Sequence, residues 1–387
     1  MELCRVKRKI AVIASSRATY GYKRKVINLI NKSHRLELQL IVTGMHLLKE
    51  YGYSVKDIET DGFPIAAKVE MMVGGDTPSA WAKSIGVEIQ NLAQVFSMLR
   101  PDIVLVTGDR AEMFAATATA AYMNIPVAHI QAGDVSGHID GSARHAITKL
   151  SHVHFPSCED SAKRVEKMGE EKWRIFNVGA PQLDAIIHDP KLSKEELNEK
   201  LGIDLNPPTI LVLQHPVLVE NDKSYKHMKQ TMGAIAELKI QTLIIYPNVD
   251  SGGAEIIRAI KEYENLPFIH TFRNIERQIF ISLLKEVSVI IGNSSCGILE
   301  APSFKLPAVN IGNRQRGRMQ ASNVFNVPHE RIEIANAINK ALFDNDFKKD
   351  LKNCINPYGD GRSSERIVKI LEEIELNEQL LDKKIVY

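Results

Sequence analysis

Short runs of apolar, largely β-branched residues alternate along this chain with longer amphipathic stretches. That alternation restricts the fold more than any other feature. The runs are KIAVIA from Lys9, LELQLIVT from Leu36, DIVLVT from Asp102, PVAHIQ from Pro126, TILVLQ from Thr209, TLIIYP from Thr242, VSVIIG from Val287 and PAVNIG from Pro307. They are short and apolar throughout, as strands of a parallel sheet covered on both faces must be. Helical patterns lie between them, for example over 77–99, 112–122, 159–168 and 276–285. The reading is an α/β chain with doubly wound parallel sheets.

One interruption divides the pattern. The segment HDPKLSKEELNEKLGIDLNPP, 188–208, is polar and charged and closes on a proline pair. It reads as a linker with a short helix. The expected organisation is a Rossmann-like domain over 1–187, the linker over 188–208, a second Rossmann-like domain over 209–362, and an amphipathic C-terminal helix over 363–387, strongest across 363–381. A length of 387 residues allows two or three domains at roughly 150 residues each. Two such halves imply a cleft, and ligands of open α/β sheets sit beyond the carboxyl ends of the strands.

Charge and cysteine content exclude several classes. Lys and Arg total 49 against 47 Asp and Glu, a formal net charge of +2, which argues against a nucleic-acid binder. The four cysteines, Cys4, Cys158, Cys296 and Cys354, are scattered, so neither a disulfide framework nor a zinc site is expected. The start, MELCRVKRK, is basic, but the apolar run behind it spans only Ile10 to Ala14 before Arg17. That is too short for a signal peptide or a membrane span, so the expectation is a soluble cytoplasmic protein with no membrane partner.

The loops after the strands carry the chemistry. KIAVIA runs into Ser15, Ser16, Arg17 and Ala18; DIVLVT into Gly108, Asp109 and Arg110; PVAHIQ into Ala132, Gly133 and Asp134, with Asp140, Arg144 and His145 beyond. TILVLQ ends at Gln214, His215 and Pro216, TLIIYP at Asn248 and Asp250, and PAVNIG at Asn313, Arg314, Arg316 and Arg318. Any one cluster could be a solvated turn; their coincidence on the strand ends favours a site. Gly292-Asn293-Ser294-Ser295-Cys296-Gly297, read as opening a helix over 298–303, suits a phosphate. The alternative there is a plain serine cap. Glu300, one turn on, can accept from a ribose diol or can be a first-turn cap. Neither a Walker A sequence nor a Gly-x-Gly-x-x-Gly follows the first strand, which disfavours ATP hydrolysis and a dinucleotide cofactor. His152 and His154 share one face of a strand but lack a third ligand, so structural histidines are expected and no metal. Asp109, Asp134 and Asp140, with His215 from the second half, are the candidates for acid–base work on a sugar.

Taken together, SRATY, TGDR, AGDVSGHIDGSARHAITKLSH, LQHP, YPNVDSG, GNSSCGILEAP and GNRQRGR resemble the hydrolysing UDP-N-acetylglucosamine 2-epimerases of sialic-acid-type pathways. The resemblance runs in order from Lys9 to about Arg366. It implies a GT-B fold, a UDP-linked sugar substrate, no metal or redox cofactor, and a homodimer or homotetramer. It also places Arg17 and Ala18 near the nucleotide, and Arg110, His215 and Asn248 on the diphosphate and sugar. Ser294 and Ser295 would hold the phosphates, Glu300 the ribose and Arg314 the nucleotide's flank, while Asp109 and Asp140 match catalytic positions. The implied reaction is elimination of UDP across C1–C2 to a 2-acetamidoglycal. Water then adds at C1 and a proton returns to C2 on the opposite face.

One departure stands out. The family usually reads His-Ile-Glu-Gly-Gly-Glu where this chain has His129-Ile130-Gln131-Ala132-Gly133-Asp134. A glutamine has no titratable proton, so Asp134 or Asp140 takes the missing role or the substrate differs. A UDP- or GDP-linked 2,4-diacetamido-trideoxy sugar of the legionaminic-acid type is the variant that fits such a change. Readings of other classes are a GT-B glycosyltransferase, a non-catalytic nucleotide-sugar sensor and the non-hydrolysing epimerase.

Overall fold

The computed structural model describes residues 7–49, 52–74, 77–135, 138–247 and 252–387, the side chains of residues 18, 138, 139, 218, 219 and 221 excepted. The chain forms two compact units, Met1–Ala185 with Tyr358–Tyr387, and Ile186–Pro357.

In the first unit the order is β1 (Arg8–Ala14), α1 (Arg17–Lys32), β2 (Leu36–Thr43), α2 (Val55–Thr60), β3 (Ile65–Val69), α3 (Pro78–Leu99), β4 (Ile103–Thr107), α4 (Ala111–Tyr122), β5 (Val127–Ile130), α5 (His138–Leu150), β6 (Val153–Phe155) and α6 (Glu159–Lys167). Helix α7 (Gln182–His188) leads into the second unit. There α8 (Lys194–Leu201), β7 (Thr209–Leu213), α9 (Ser224–Leu238), β8 (Gln241–Ile245), α10 (Gly253–Lys261), β9 (Ile269–Phe272), α11 (Arg277–Glu286) and β10 (Val289–Gly292) are followed by α12 (Cys296–Leu299), β11 (Ala308–Ile311), β12 (Val324–Val327), α13 (Arg331–Phe343) and α14 (Asn345–Leu351). Helices α15 (Ser363–Glu373) and α16 (Glu378–Leu381) return to the first unit.

Both sheets are six-stranded, in the orders β3-β2-β1-β4-β5-β6 and β12-β11-β10-β7-β8-β9, with parallel pairing. The runs read as strands are the interior strands of the two sheets. The edges β3, β9 and β12 went unread because one side of each meets solvent and polar residues interleave the apolar ones. The apolar runs follow from two-sided burial. Ile10, Val12 and Ala14 pack with Val26, Ile27 and Ile30 of α1 and Ile367 and Leu371 of α15. Ala11 and Ile13 face the other way, onto Leu92 and Phe96 of α3 and Met113, Ala116 and Ala120 of α4. In the second sheet, Ile210 and Val212 meet Met228 and Met232 of α9, while Leu211 meets Leu283 and Leu284 of α11. Each fully buried aliphatic side chain contributes about 1.5–3 kcal/mol.

The polar segment 188–208 packs into the second unit. Ser193 and Glu196 form a capping box at the start of α8, and Leu197 and Leu205 are buried in that unit's core. The continuous C-terminal helix expected over 363–381 is in fact broken. Ile374 is extended, and Asn377 starts α16 by accepting from the Leu380 N–H at 3.0 Å. Asp184 receives the Ser363 and Ser364 N–H groups at 3.0 and 2.6 Å, and the fully buried Arg174 donates to the Leu380 and Gln379 carbonyls at 2.7 Å each. Among the described residues no helix is long and apolar enough to cross a membrane.

Candidate functional site

Strand order reverses between β1 and β4 in the first sheet and between β7 and β10 in the second. Loops leaving the two strands at such a point splay apart and open a crevice. The candidate residues Arg17, Asp109 and Arg110 leave β1 and β4, and His215, Ser294 and Ser295 leave β7 and β10.

In the first unit, Ser16 caps α1 and Arg17 opens it, exposed, with its Nε 3.2 Å from the Asp57 carboxylate. The Ala18 side chain lies outside the described residues. After β4, Asp109 is ion-paired with Arg144 of α5, which also donates to the Gln131 carbonyl at 3.0 Å. One buried arginine thus ties the loop after β4 to the loop after β5. Arg110 turns its fork onto the buried Glu112, with Nε and Nη2 donating to the two carboxylate oxygens at 3.1 and 2.9 Å. Beneath, His129 donates from Nε2 to the Gly108 carbonyl at 2.8 Å, and burial drops its pKa to about 3, so it is a neutral strut.

The loop after β5 is tightly shaped. Gln131 has a left-handed φ of 65°, and a Cβ at Gly133 would lie 2.5 Å from the Ser161 carbonyl oxygen. Asp134 accepts from Ser157 Oγ at 2.8 Å, and its Oδ1 is buried without a partner. Asp140 sits exposed in the first turn of α5. With Asp109 and Arg110 it lines a pocket of about 630 Å³ whose other walls include Trp81, Ile85, Phe114, Ala143 and Ala146.

In the second unit Asn293 is the hub. Its Oδ1 accepts from the His215 N–H at 2.7 Å, its Nδ2 donates to the His215 carbonyl at 2.8 Å, and its own carbonyl receives Arg314 Nη1 at 3.1 Å and Gln315 Nε2 at 2.9 Å. Gly292 makes this approach possible, because a Cβ there would fall 2.1 Å from the Leu213 carbonyl oxygen. The helix expected over 298–303 is instead the four-residue α12 followed by a 3₁₀ turn at Ala301–Phe304. Pro302 in that turn lacks the N–H a continuous helix would need. The macrodipole argument therefore weakens at Ser294 and Ser295. Ser294 Oγ accepts from Cys296 Sγ at 3.1 Å, while Ser295 makes no side-chain cap. Glu300 ends α12 with Oε2 buried and unpartnered, and loss of hydration pushes its pKa up to about 7. Asn248 lies outside the described residues.

The histidine pair after β5 is structural. His152 Nδ1 accepts from the Val127 N–H at 3.1 Å and His154 Nε2 pairs with Glu170 at 2.8 Å, both rings being buried. Among the described residues a single group, Glu220, His227 and His329, brings three potential ligand atoms within 4.8 Å of one another. Its two rings stack face to face, 3.7 Å between centroids and 2° between planes. Lone pairs leaving parallel planes do not converge on one ion at about 2.0–2.1 Å from each nitrogen, so this arrangement is not a formed metal site.

Arg144, Glu112 and Asn293 organise these loops, and sequence reasoning did not single them out for that role. Arg144 stands one helical turn beyond Asp140, and Glu112 two residues beyond Arg110, which are the local signals that could have marked them.

The family described as UDP-N-acetylglucosamine 2-epimerase matches residues 28–372. A Legionella pneumophila protein named UDP-N,N'-diacetylbacillosamine 2-epimerase (hydrolyzing) is 38% identical over 97% of this chain and 98% of its own length. A Campylobacter jejuni protein named GDP/UDP-N,N'-diacetylbacillosamine 2-epimerase (hydrolyzing) is 34% identical over 89% of this chain and 90% of its own. In fold, the chain is similar to the Neisseria meningitidis UDP-GlcNAc 2-epimerase crystallised with UDP-GlcNAc, at a TM-score of 0.80 and 20% identity, covering 95% of this chain and 100% of that one. The two doubly wound sheets are those of the GT-B fold. By the span of these matches and the order of its motifs, the chain belongs to the UDP-N-acetylglucosamine 2-epimerase family.

Proposed function

We propose that this protein is a hydrolysing 2-epimerase that converts a UDP-linked 2,4-diacetamido-2,4,6-trideoxy sugar, UDP-N,N'-diacetylbacillosamine, and water into the free 2-epimeric sugar and UDP. The observation that carries the reading is the shared pocket. Asp109, Asp140 and the Arg110 cation line the same cavity as Trp81, Ile85 and Phe114. Carboxylates serve proton transfer at C2, the cation serves the departing diphosphate, and the apolar wall suits a sugar whose C6 is a methyl group and whose C4 carries an acetamide. The names of the two relatives support the same sugar and the hydrolytic outcome.

In this mechanism a carboxylate removes the C2 proton as the C1–O bond to UDP breaks, leaving the glycal. Water then adds to C1, a second carboxylate taking up its proton and returning a proton to C2 from the other face, and the proton held by the first carboxylate is released to solvent. Asp109, engaged by Arg144, and Asp140 share these two transfers. Asp134, bonded to Ser157, holds the loop, and Gln131 offers an amide where relatives of the usual pattern offer an acid. Arg17, Ala18, His215, Asn248, Ser294, Ser295, Glu300 and Arg314 are assigned to the nucleotide and its phosphates.

The test is proton NMR in deuterated water with UDP-N,N'-diacetylbacillosamine and UDP-N-acetylglucosamine offered separately. Stoichiometric UDP and a free epimer deuterated at C2, formed faster from the first substrate, is the expected result. A nucleotide-linked epimer would establish the non-hydrolysing reaction instead, and preference for the second substrate would overturn the assigned sugar.

A further inference from the structure

A charged cluster lies buried in the first unit and takes no part in the chemistry above. Lys23 of α1, Glu88 of α3 and Glu112 of α4 are each 0% exposed. Lys23 Nζ donates to the Ile13 carbonyl of β1. Glu88 Oε1 accepts from Thr43 Oγ1 at 2.9 Å, while its Oε2 is buried without a partner. Burial and the field of Glu112 raise the Glu88 pKa to about 8, so at neutral pH it is mostly the uncharged acid. Burial pulls Lys23 down to about 7 against the opposing pull of Glu112. Glu112 differs from both in having its two carboxylate oxygens on the Arg110 guanidinium.

The packing of α4 does not by itself call for a carboxylate at this position. Its other buried residues, Met113, Ala115, Ala116, Thr117, Thr119 and Ala120, are all uncharged, and a buried anion is costly unless paired. Both Glu112 oxygens are turned to Arg110. The backbone closes in on the carboxylate from behind, since a Cβ at Gly44, φ +58°, would lie 2.6 Å from Glu112 Oε1. Arg110 has five N–H groups and gives two to Glu112, which leaves three, and Arg110 is a lining residue of the pocket together with Asp109 and Asp140.

We propose that Glu112 is a positioning residue: it locks the guanidinium of Arg110 into one plane, so that the remaining N–H groups are already aimed at the diphosphate when it binds and leaves. This rests on the reading that Arg110 meets the substrate's diphosphate. A free arginine would lose rotamer freedom on binding, and the clamp removes that loss beforehand.

A double-mutant cycle tests it on the full-length enzyme. Glu112→Gln turns an amide NH₂ toward one Arg110 N–H, and Arg110→Lys keeps the charge without the planar fork. Affinity for UDP by calorimetry, and KM and kcat for the sugar nucleotide, are measured for each single variant and for the pair. Glu112→Gln alone is expected to weaken UDP binding and raise KM about tenfold, and to cost less than about twofold when Arg110→Lys is already present. Glu112→Asp, which keeps the buried charge but draws the fork back, should show the same dependence on background, so the cycle survives if the glutamine variant does not fold. An equal cost in both backgrounds overturns the proposal, as does an Arg110→Lys enzyme with unchanged UDP affinity and KM. Wild-type protein that binds UDP but turns over no sugar nucleotide would sink the epimerase reading, while the UDP cycle would still decide the clamp.

Discussion

The loops after the first sheet and those after the second solve the same problem with different chemistry. In the first unit, side-chain charge is held by opposite side-chain charge: Asp109 by Arg144, and Arg110 by Glu112. In the second, amides and backbone do the holding, with Asn293 bridging the main chain at His215 and the side chains of Arg314 and Gln315. The one acid at the end of that loop, Glu300, has a buried oxygen that no donor among the described residues reaches. A site that moves protons needs carboxylates whose charge is fixed by a countercharge. A site that only binds a nucleotide needs rigid dipoles, and an acceptor left open for hydroxyls of the ligand.

If that division is right, removing the two carboxylates of the first region that line the pocket, Asp109 and Asp140, should abolish chemistry and spare binding, the Arg110–Glu112 pair being the part of that region that serves the diphosphate. Asp109→Asn and Asp140→Asn are each expected to lower kcat by about 10²–10⁴, the range for losing a general acid or base. UDP affinity should stay within about twofold of wild type. A variant with the wild-type rate would remove that residue from the proton transfers, and a large loss of UDP affinity would show that the division between the two regions is false.

Breaking the second region should do the reverse. Asn293→Ala removes both bonds to the His215 main chain, each worth about 1 kcal/mol, and frees Arg314 and Gln315 only indirectly because they bond the Asn293 carbonyl. We expect UDP binding to weaken about tenfold while kcat at saturating substrate changes little. A collapse of kcat with intact binding would place Asn293 in the chemistry.

The same contrast explains what could be read from the chain. Interior strands announce themselves because both faces are buried, whereas β3, with Lys68 inside it, and β12, with Asn326, do not. Candidate residues were legible because they sit directly after those interior strands. Their partners were not: Arg144 lies 35 positions from Asp109, and Asn293 lies 78 from His215, so only the fold brings them together. The short α12 escaped notice for a local reason, since Pro302 stops the helix that the preceding glycine and serines begin.

The finest test of the comparison is a pH dependence that belongs to the second region alone. Desolvation raises the Glu300 pKa to about 7, above the roughly 4.3 of an unfolded glutamate. Its folded state therefore holds a proton between those values, and this group's contribution to stability falls as pH rises through that window. Ligand binding runs the opposite way, because a ribose diol donates to a carboxylate and a protonated Glu300 gives up one acceptor. From pH 6.5 to 7.5 the ionised fraction of a group with this pKa rises about threefold. UDP affinity should rise by up to that factor beyond any change caused by the phosphate itself. Glu300→Gln isolates the effect, since it keeps the shape and removes the titration. The variant's affinity should follow only the phosphate, and its melting temperature should lose the decline that wild type shows across the same window. Identical pH profiles for both proteins would mean that the buried Glu300 oxygen is not the acceptor the nucleotide uses.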